Sequence, residues 1–165
     1  MERFGGENYF LVSPVIAAAS KDDAPALGDA KAVSILWDAS GSRAANDHAP
    51  QLELLKQFFA GVKTASLDVS VTVLRNAAEP AKTFTVKNGD ASALLDFLKK
   101  LPYDGGTDLL GLEKFLAAVP ADGAAFVFTD GIQTFGKGAS TVPAAKGRTA
   151  FVSVSTTSEI GRAHV

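Results

Sequence analysis

The sequence predicts a three-layer α/β fold, with a mostly parallel central sheet flanked by helices. Three observations carry this. Apolar runs of strand length alternate with segments of helical periodicity; two of the runs, AVSILW (residues 32–37) and GAAFVFTDG (123–131), are apolar on both faces; and both lead into an aspartate. The chain has 165 residues, 47% of them apolar, which suits one domain with a substantial core.

The elements follow in order. YFLVSPVIAAA (9–19) is strand-like but interrupted by Pro14, and the polar, small-residue stretch that follows it reads as a linker over 21–30. The folded unit is expected to start near Lys31, with AVSILW as a central strand. In APQLELLKQFFAGV (49–62), Leu52, Leu55, Phe59 and Val62 recur at helical spacing, which predicts a helix. LDVSVTVLR (67–75) alternates Leu67, Val69, Val71 and Val73 with Asp68, Ser70 and Thr72, so it reads as an off-centre strand with one polar face, partnered by KTFTV (82–86). Residues 91–101 carry Leu94, Leu95, Leu98 and Leu101 on one stripe, and Pro102 stops that helix. After DGGT, residues 109–119 predict a further helix with Leu109, Leu112, Phe115, Leu116 and Val119 inward. GAAFVFTDG and TAFVSVS (149–155) complete the strands.

Composition excludes several functions. Sixteen basic against 18 acidic residues give a net charge of −2 with no basic stripe, so nucleic acid is not an expected partner. With no cysteine there is no disulfide, thiolate zinc site or cysteine nucleophile. No apolar run approaches the roughly 20 residues that cross a bilayer, so no membrane insertion is expected within this chain.

In a parallel sheet, ligands sit beyond the carboxyl ends of the strands. Asp38, Ser40 and Ser42 leave one central strand, Asp130 leaves another, and Thr107 lies in a glycine-rich loop before a helix, so these five can meet at one edge. Two carboxylates and three hydroxyls are hard oxygen donors that suit Mg²⁺ or Mn²⁺. They balance the ion's charge and leave an appetite for one more anionic oxygen, expected from a partner. Alone, Ser-Gly-Ser after a strand also reads as a helix N-cap. Asp104 reads as a turn residue, Asp108 as an acid favouring a helix start, Asp47 and His48 as solvated loop residues, and Trp37, Phe58, Phe59, Phe126 and Phe128 as core.

DASGS, a threonine after DGG, and FTDG, in that order, resemble the metal-ion-dependent adhesion site of von Willebrand factor type A domains, over residues 31 to 155. The resemblance implies a Rossmann-like three-layer fold. It also implies ligand or near-ligand roles for Asp38, Ser40, Ser42 and Thr107, with Asp130 acting through water. Arg43 stands where the family often has Met, and Trp37 where an aliphatic residue is usual. Arg43 is expected at the rim, biasing it toward acidic partners.

ENYFLVSP resembles the last strand of a vault/inter-alpha-trypsin-type (VIT) domain, so residues 1–20 are expected to be an upstream remnant. Residues 31–159 are then a type A domain lacking its final helix and strand. IGRAHV (160–165) is one reading of a common sequencing adapter and is expected to be non-native. The family implies a bacterial protein and favours a cell-envelope or extracellular setting, although intracellular members exist. The function so implied is a non-enzymatic, metal-dependent protein-binding module. Two alternatives are a Mg²⁺-dependent phosphotransferase or hydrolase using Asp38, where a second acid two residues on is usual but Ser40 stands here, and a structural domain with a vestigial site.

Overall fold

The computed structural model describes residues 2–4, 7–9, 30–62, 64–136 and 148–153, with side-chain surroundings over 30–62 and 64–136. The expected upstream strand beyond Tyr9, the linker up to Asp29 and the tail over 160–165 lie outside the described residues. Strands β1 (Glu2–Phe4) and β2 (Glu7–Tyr9) pair as a short antiparallel hairpin.

The main sheet is built from β3 (Ala32–Asp38), β4 (Ser66–Leu74), β5 (Lys82–Lys87), β6 (Ala124–Thr129) and β7 (Arg148–Ser153) in the order β5-β4-β3-β6-β7. It is mixed: β4, β3, β6 and β7 run parallel, and β5 joins β4 antiparallel at the edge. Helices α1 (Ala49–Ala60), α2 (Ser92–Lys99) and α3 (Leu110–Ala118) flank it, each within a few residues of the expected range. Pro50 fits the first turn of α1, where its missing N–H costs nothing.

Strand periodicity sorts the core into two layers. Val33, Ile35 and Trp37 of β3, Val69, Val71 and Val73 of β4, and Phe126 and Phe128 of β6 pack against Leu55 and Phe59 of α1 and Leu94, Leu95 and Leu98 of α2. On the opposite face, Leu36, Leu74, Ala125 and Val127 meet Leu112, Phe115 and Leu116 of α3. The expected polar face of β4 lies on the α3 side, where Ser34, Ser70 and Thr72 line a cavity of about 240 Å³ with Lys114 and Phe115. Central strand β3 is therefore covered on both sides, and its carboxyl end opens between its two parallel neighbours.

Candidate metal centre

The centre is built where β3 and β6 stop. Leu36 faces α3 and pairs with Val127, so two residues on Asp38 and Thr129 share that face side by side. Thr129 Oγ1 donates to Asp38 Oδ2 at 2.7 Å, and the backbone N–H of Ser40 donates to Asp38 Oδ1 at 3.0 Å, which bends the chain into the 3-10 turn Gly41–Arg43. Ser40 Oγ lies 3.0 Å from Ser42 Oγ, and Ser42 Oγ donates to Asp130 Oδ2 at 2.7 Å. Asp130 Oδ1 accepts the Ile132 N–H at 2.9 Å. A continuous chain of hydrogen bonds thus joins Asp38, Ser40, Ser42 and Asp130. Ser40 occupies the N-cap position of the turn but makes no side-chain capping bond, which removes the N-cap reading of its hydroxyl.

Thr107 arrives from the loop before α3. That loop is bonded to the serine turn: Asp104 N donates to Ala39 O at 3.1 Å, and Gly41 N to Gly105 O at 3.0 Å. Gly105 takes φ +70°, and a Cβ there would stand 2.8 Å from Asn76 Oδ1, so the turn depends on glycine. The backbone of Thr107 is held on both sides. Its N–H donates to Thr134 Oγ1 at 2.9 Å, and its carbonyl accepts from Thr134 N at 3.2 Å and Phe135 N at 3.1 Å. Its side chain is different: Thr107 is fully buried, and Oγ1 has no hydrogen-bond partner among the described residues. A buried hydroxyl left unpaired costs about 1–3 kcal/mol, so a fixed, unpaired one is what a ligand position looks like before its ligand arrives.

Burial grades across the set. Asp38, Ser40 and Thr107 are at 0% exposure, while Asp130 is half-buried and Ser42 is exposed. The donors are oxygen only, the chemistry of a hard divalent cation. Among the described residues no three His, Cys, Asp or Glu side chains gather in a group that could hold a metal, so a cation here depends on the hydroxyls beside its two carboxylates. Asp104 and Asp108 are engaged elsewhere: Asp104 accepts from Arg75 Nη1 at 2.9 Å, and Asp108 Oδ1 accepts the Leu110 N–H at 3.0 Å, at the start of α3.

Two expectations are corrected. Arg43 is not a rim residue; it is fully buried beneath the turn. Its Nη1 donates to Asp38 O in a short contact and to Phe128 O at 3.1 Å, and its guanidinium lies 5.4 Å over the Trp37 ring. Burial pulls its pKa down, and the nearby Asp38, Tyr103 and Asp130 oppose that shift. His48 is not a free loop residue either. Its ring stacks on Tyr103 at 4.2 Å, its Nδ1 lies 3.4 Å from Arg43 Nη2, and its Nε2 lies 3.1 Å from Arg43 O. With Nδ1 facing a cationic donor and Nε2 facing a carbonyl, the neutral imidazole protonated on Nε2 satisfies both contacts. Its pKa is lowered accordingly, by burial and then by Arg43. Asp47 remains exposed, and its Oδ1 accepts the Ala49 N–H at 2.9 Å. Trp37 is core as expected, its Nε1 donating to Tyr103 OH at 2.9 Å.

Sequence reasoning missed Thr129 and Thr134. The signal for Thr129 was present in the strand parity, two residues beyond Val127 on the α3 face; Thr134 lies in a loop without periodicity and gave none. Neither any protein-family model nor any curated protein sequence matches this chain. The reading of the centre therefore stands on its own geometry.

Proposed function

We propose that the chain is a divalent-cation-dependent protein-binding module, similar in site and fold to von Willebrand factor type A domains. The observation that carries the reading is the unpaired, fully buried hydroxyl of Thr107, on a loop bonded to the turn that carries the hydrogen-bonded run of Asp38, Ser40, Ser42 and Asp130. Asp38, Ser40, Ser42 and Thr107 would hold Mg²⁺ or Mn²⁺, with Asp130 at the rim. Bound there, the ion supplies an electrophilic centre with an open coordination position for an incoming Asp or Glu carboxylate.

The rest belongs to the protein. Thr129 and the Ser40 N–H orient the Asp38 carboxylate, and Thr134 and Phe135 fix the height of Thr107. Three of the large apolar side chains exposed among the described residues lie close in sequence to Thr107 and Asp130: Leu110 at 40%, at the start of α3 just after the Thr107 loop, and Ile132 at 41% and Phe135 at 53%, on the loop that carries Asp130. A rim of that kind favours a protein surface over a free ion as the occupant. Two features favour binding over phosphotransfer in this reading: His48 is engaged by Arg43 and Tyr103, and the position two residues after Asp38 is a serine where a second acid is usual.

The test is capture of a partner from the native host on immobilised protein, with Mg²⁺ or with EDTA. A specific partner is expected to be retained with Mg²⁺ and released by EDTA, and to be lost with Asp38→Asn. Retention through both would mean that recognition uses another surface.

A further inference from the structure

The geometry points to Arg43 as the positioning residue of the centre: its guanidinium ties together the ends of the two strands that carry Asp38 and Asp130, so the oxygen donors stand in place ahead of any ligand. This rests on the metal-binding reading above. The pairing of β3 with β6 ends at Trp37 and Phe128. Beyond that point β3 bends into the serine turn and β6 into the Asp130 loop, and the two are joined there through side chains, Thr129 to Asp38 and Ser42 to Asp130.

Arg43 adds a tie between the main chains themselves. One nitrogen, Nη1, donates both to the carbonyl of Asp38 on β3 and to the carbonyl of Phe128 on β6, so these two oxygens cannot separate without losing a bond. The turn is fastened to the same anchor, because Arg43 N donates to Ser40 O at 3.1 Å. The guanidinium is itself held in place by the Trp37 face on one side and His48 on another, and His48 is braced by Tyr103.

Burying a charge here is expensive, and an apolar side chain of similar size would fill the space at lower cost. A cation beneath a cation site also opposes metal binding through its charge. The two effects of Arg43 on metal affinity therefore have opposite signs. Charge alone weakens binding, and the tie strengthens it by sparing the site the ordering it would otherwise undergo on binding. The geometry favours the tie, since the head group donates to carbonyl oxygens of the main chain and makes no hydrogen bond to either carboxylate.

Isothermal titration of Mn²⁺ into the full chain, for wild type, Arg43→Met and Arg43→Lys, separates these effects, with a melting curve of each variant to establish that it is folded. Wild type is expected to bind. Folded Arg43→Met is expected to bind Mn²⁺ at least tenfold more weakly, although it has lost a repelling charge. Arg43→Lys keeps the charge but not the fork, and is expected to fall between the two. Folded Arg43→Met binding Mn²⁺ as tightly as wild type, or more tightly, would overturn the proposal and leave the metal-binding reading intact. If Arg43→Met does not fold, Arg43→Lys decides: affinity equal to wild type overturns the proposal, and a threefold or greater loss supports it. A wild-type chain that takes up no Mn²⁺ would overturn the metal-binding reading and this proposal together.

Discussion

At the scale of single residues, the hydroxyl of Thr107 makes an unusual forecast. Replacing a hydrogen-bonded threonine by valine ordinarily costs about 1 kcal/mol, but Thr107 Oγ1 has no partner to lose and a desolvation cost to relieve. Thr107→Val is therefore expected to leave the metal-free melting temperature unchanged or raise it, while weakening metal-dependent partner capture. A metal-free loss of stability would point to a structural role for the hydroxyl instead. His48 gives a pH signature. It is held neutral in the fold with a pKa below the ordinary 6.5, so the unfolded chain takes up its proton first as pH falls. Its contribution is full above about pH 6.5 and is lost as pH drops toward the lowered folded value. Thermal melts from pH 7 down to pH 5 are expected to show falling stability in wild type and a smaller fall in His48→Gln. The meeting of Asp38, Ser40, Ser42 and Asp130 at one sheet edge was legible in the sequence because acids and hydroxyls at strand ends are informative by position. Arg43 and His48 were not, because a charged residue in a polar loop reads as solvated, and only the meeting of β3, β6 and the Tyr103 loop encloses them.

At the scale of elements, α3 approaches the sheet through a glycine. A Cβ on Gly111 would meet Leu74 Cδ1 at 2.6 Å, Ala78 Cβ at 3.0 Å and Ala78 N at 3.2 Å. Leu74 is fully buried, so moving it disturbs the core, and the Ala78 contacts include a main-chain nitrogen. Gly→Ala inside a helix gains about 1 kcal/mol in propensity, whereas overpacking a tight contact costs about 1–3 kcal/mol. The clash is expected to win, so Gly111→Ala should lower the denaturant midpoint; an increase would mean that α3 can slide outward freely. The strands were readable from alternation and the helices from their leucine stripes, with ends shifted by one or two residues. For example, the 91–101 stripe resolves into α2 over Ser92–Lys99, and Leu101 N reaches back only to Leu98 O ahead of Pro102. Periodicity marks which face is buried, but the last turn is decided by local hydrogen bonds that periodicity does not record.

At the scale of the whole molecule, the two apolar faces of β3 and β6 made the three-layer arrangement legible; the polar face of β4 suggested only an off-centre strand, and the cavity it lines beneath α3 emerges from the packing. The sequence marked residues 82–86 as a partner of β4 without a direction; the structure makes β5 antiparallel, as the short connection after Leu74 allows. The charge balance of the centre was misjudged, because Arg43 adds one positive charge beneath the two carboxylates. A divalent cation bound there would leave the centre net positive, which would favour an incoming carboxylate. No helix among the described residues is long and apolar enough to cross a membrane. The central claim is that the fold holds a divalent cation at Asp38, Ser40, Ser42, Thr107 and Asp130, and calorimetric melting of the whole chain in Mg²⁺ and in EDTA tests it most directly. A ligand bound only by the folded state, at a hundredfold excess over its Kd, adds about 2.7 kcal/mol, which for a domain of this size corresponds to roughly 5–10 °C. Wild type is expected to melt higher in Mg²⁺ by that order, and Asp38→Asn, which keeps the shape of the side chain and removes its charge, is expected to melt at the same temperature in both. A wild-type melting temperature that does not change between Mg²⁺ and EDTA would contradict the claim.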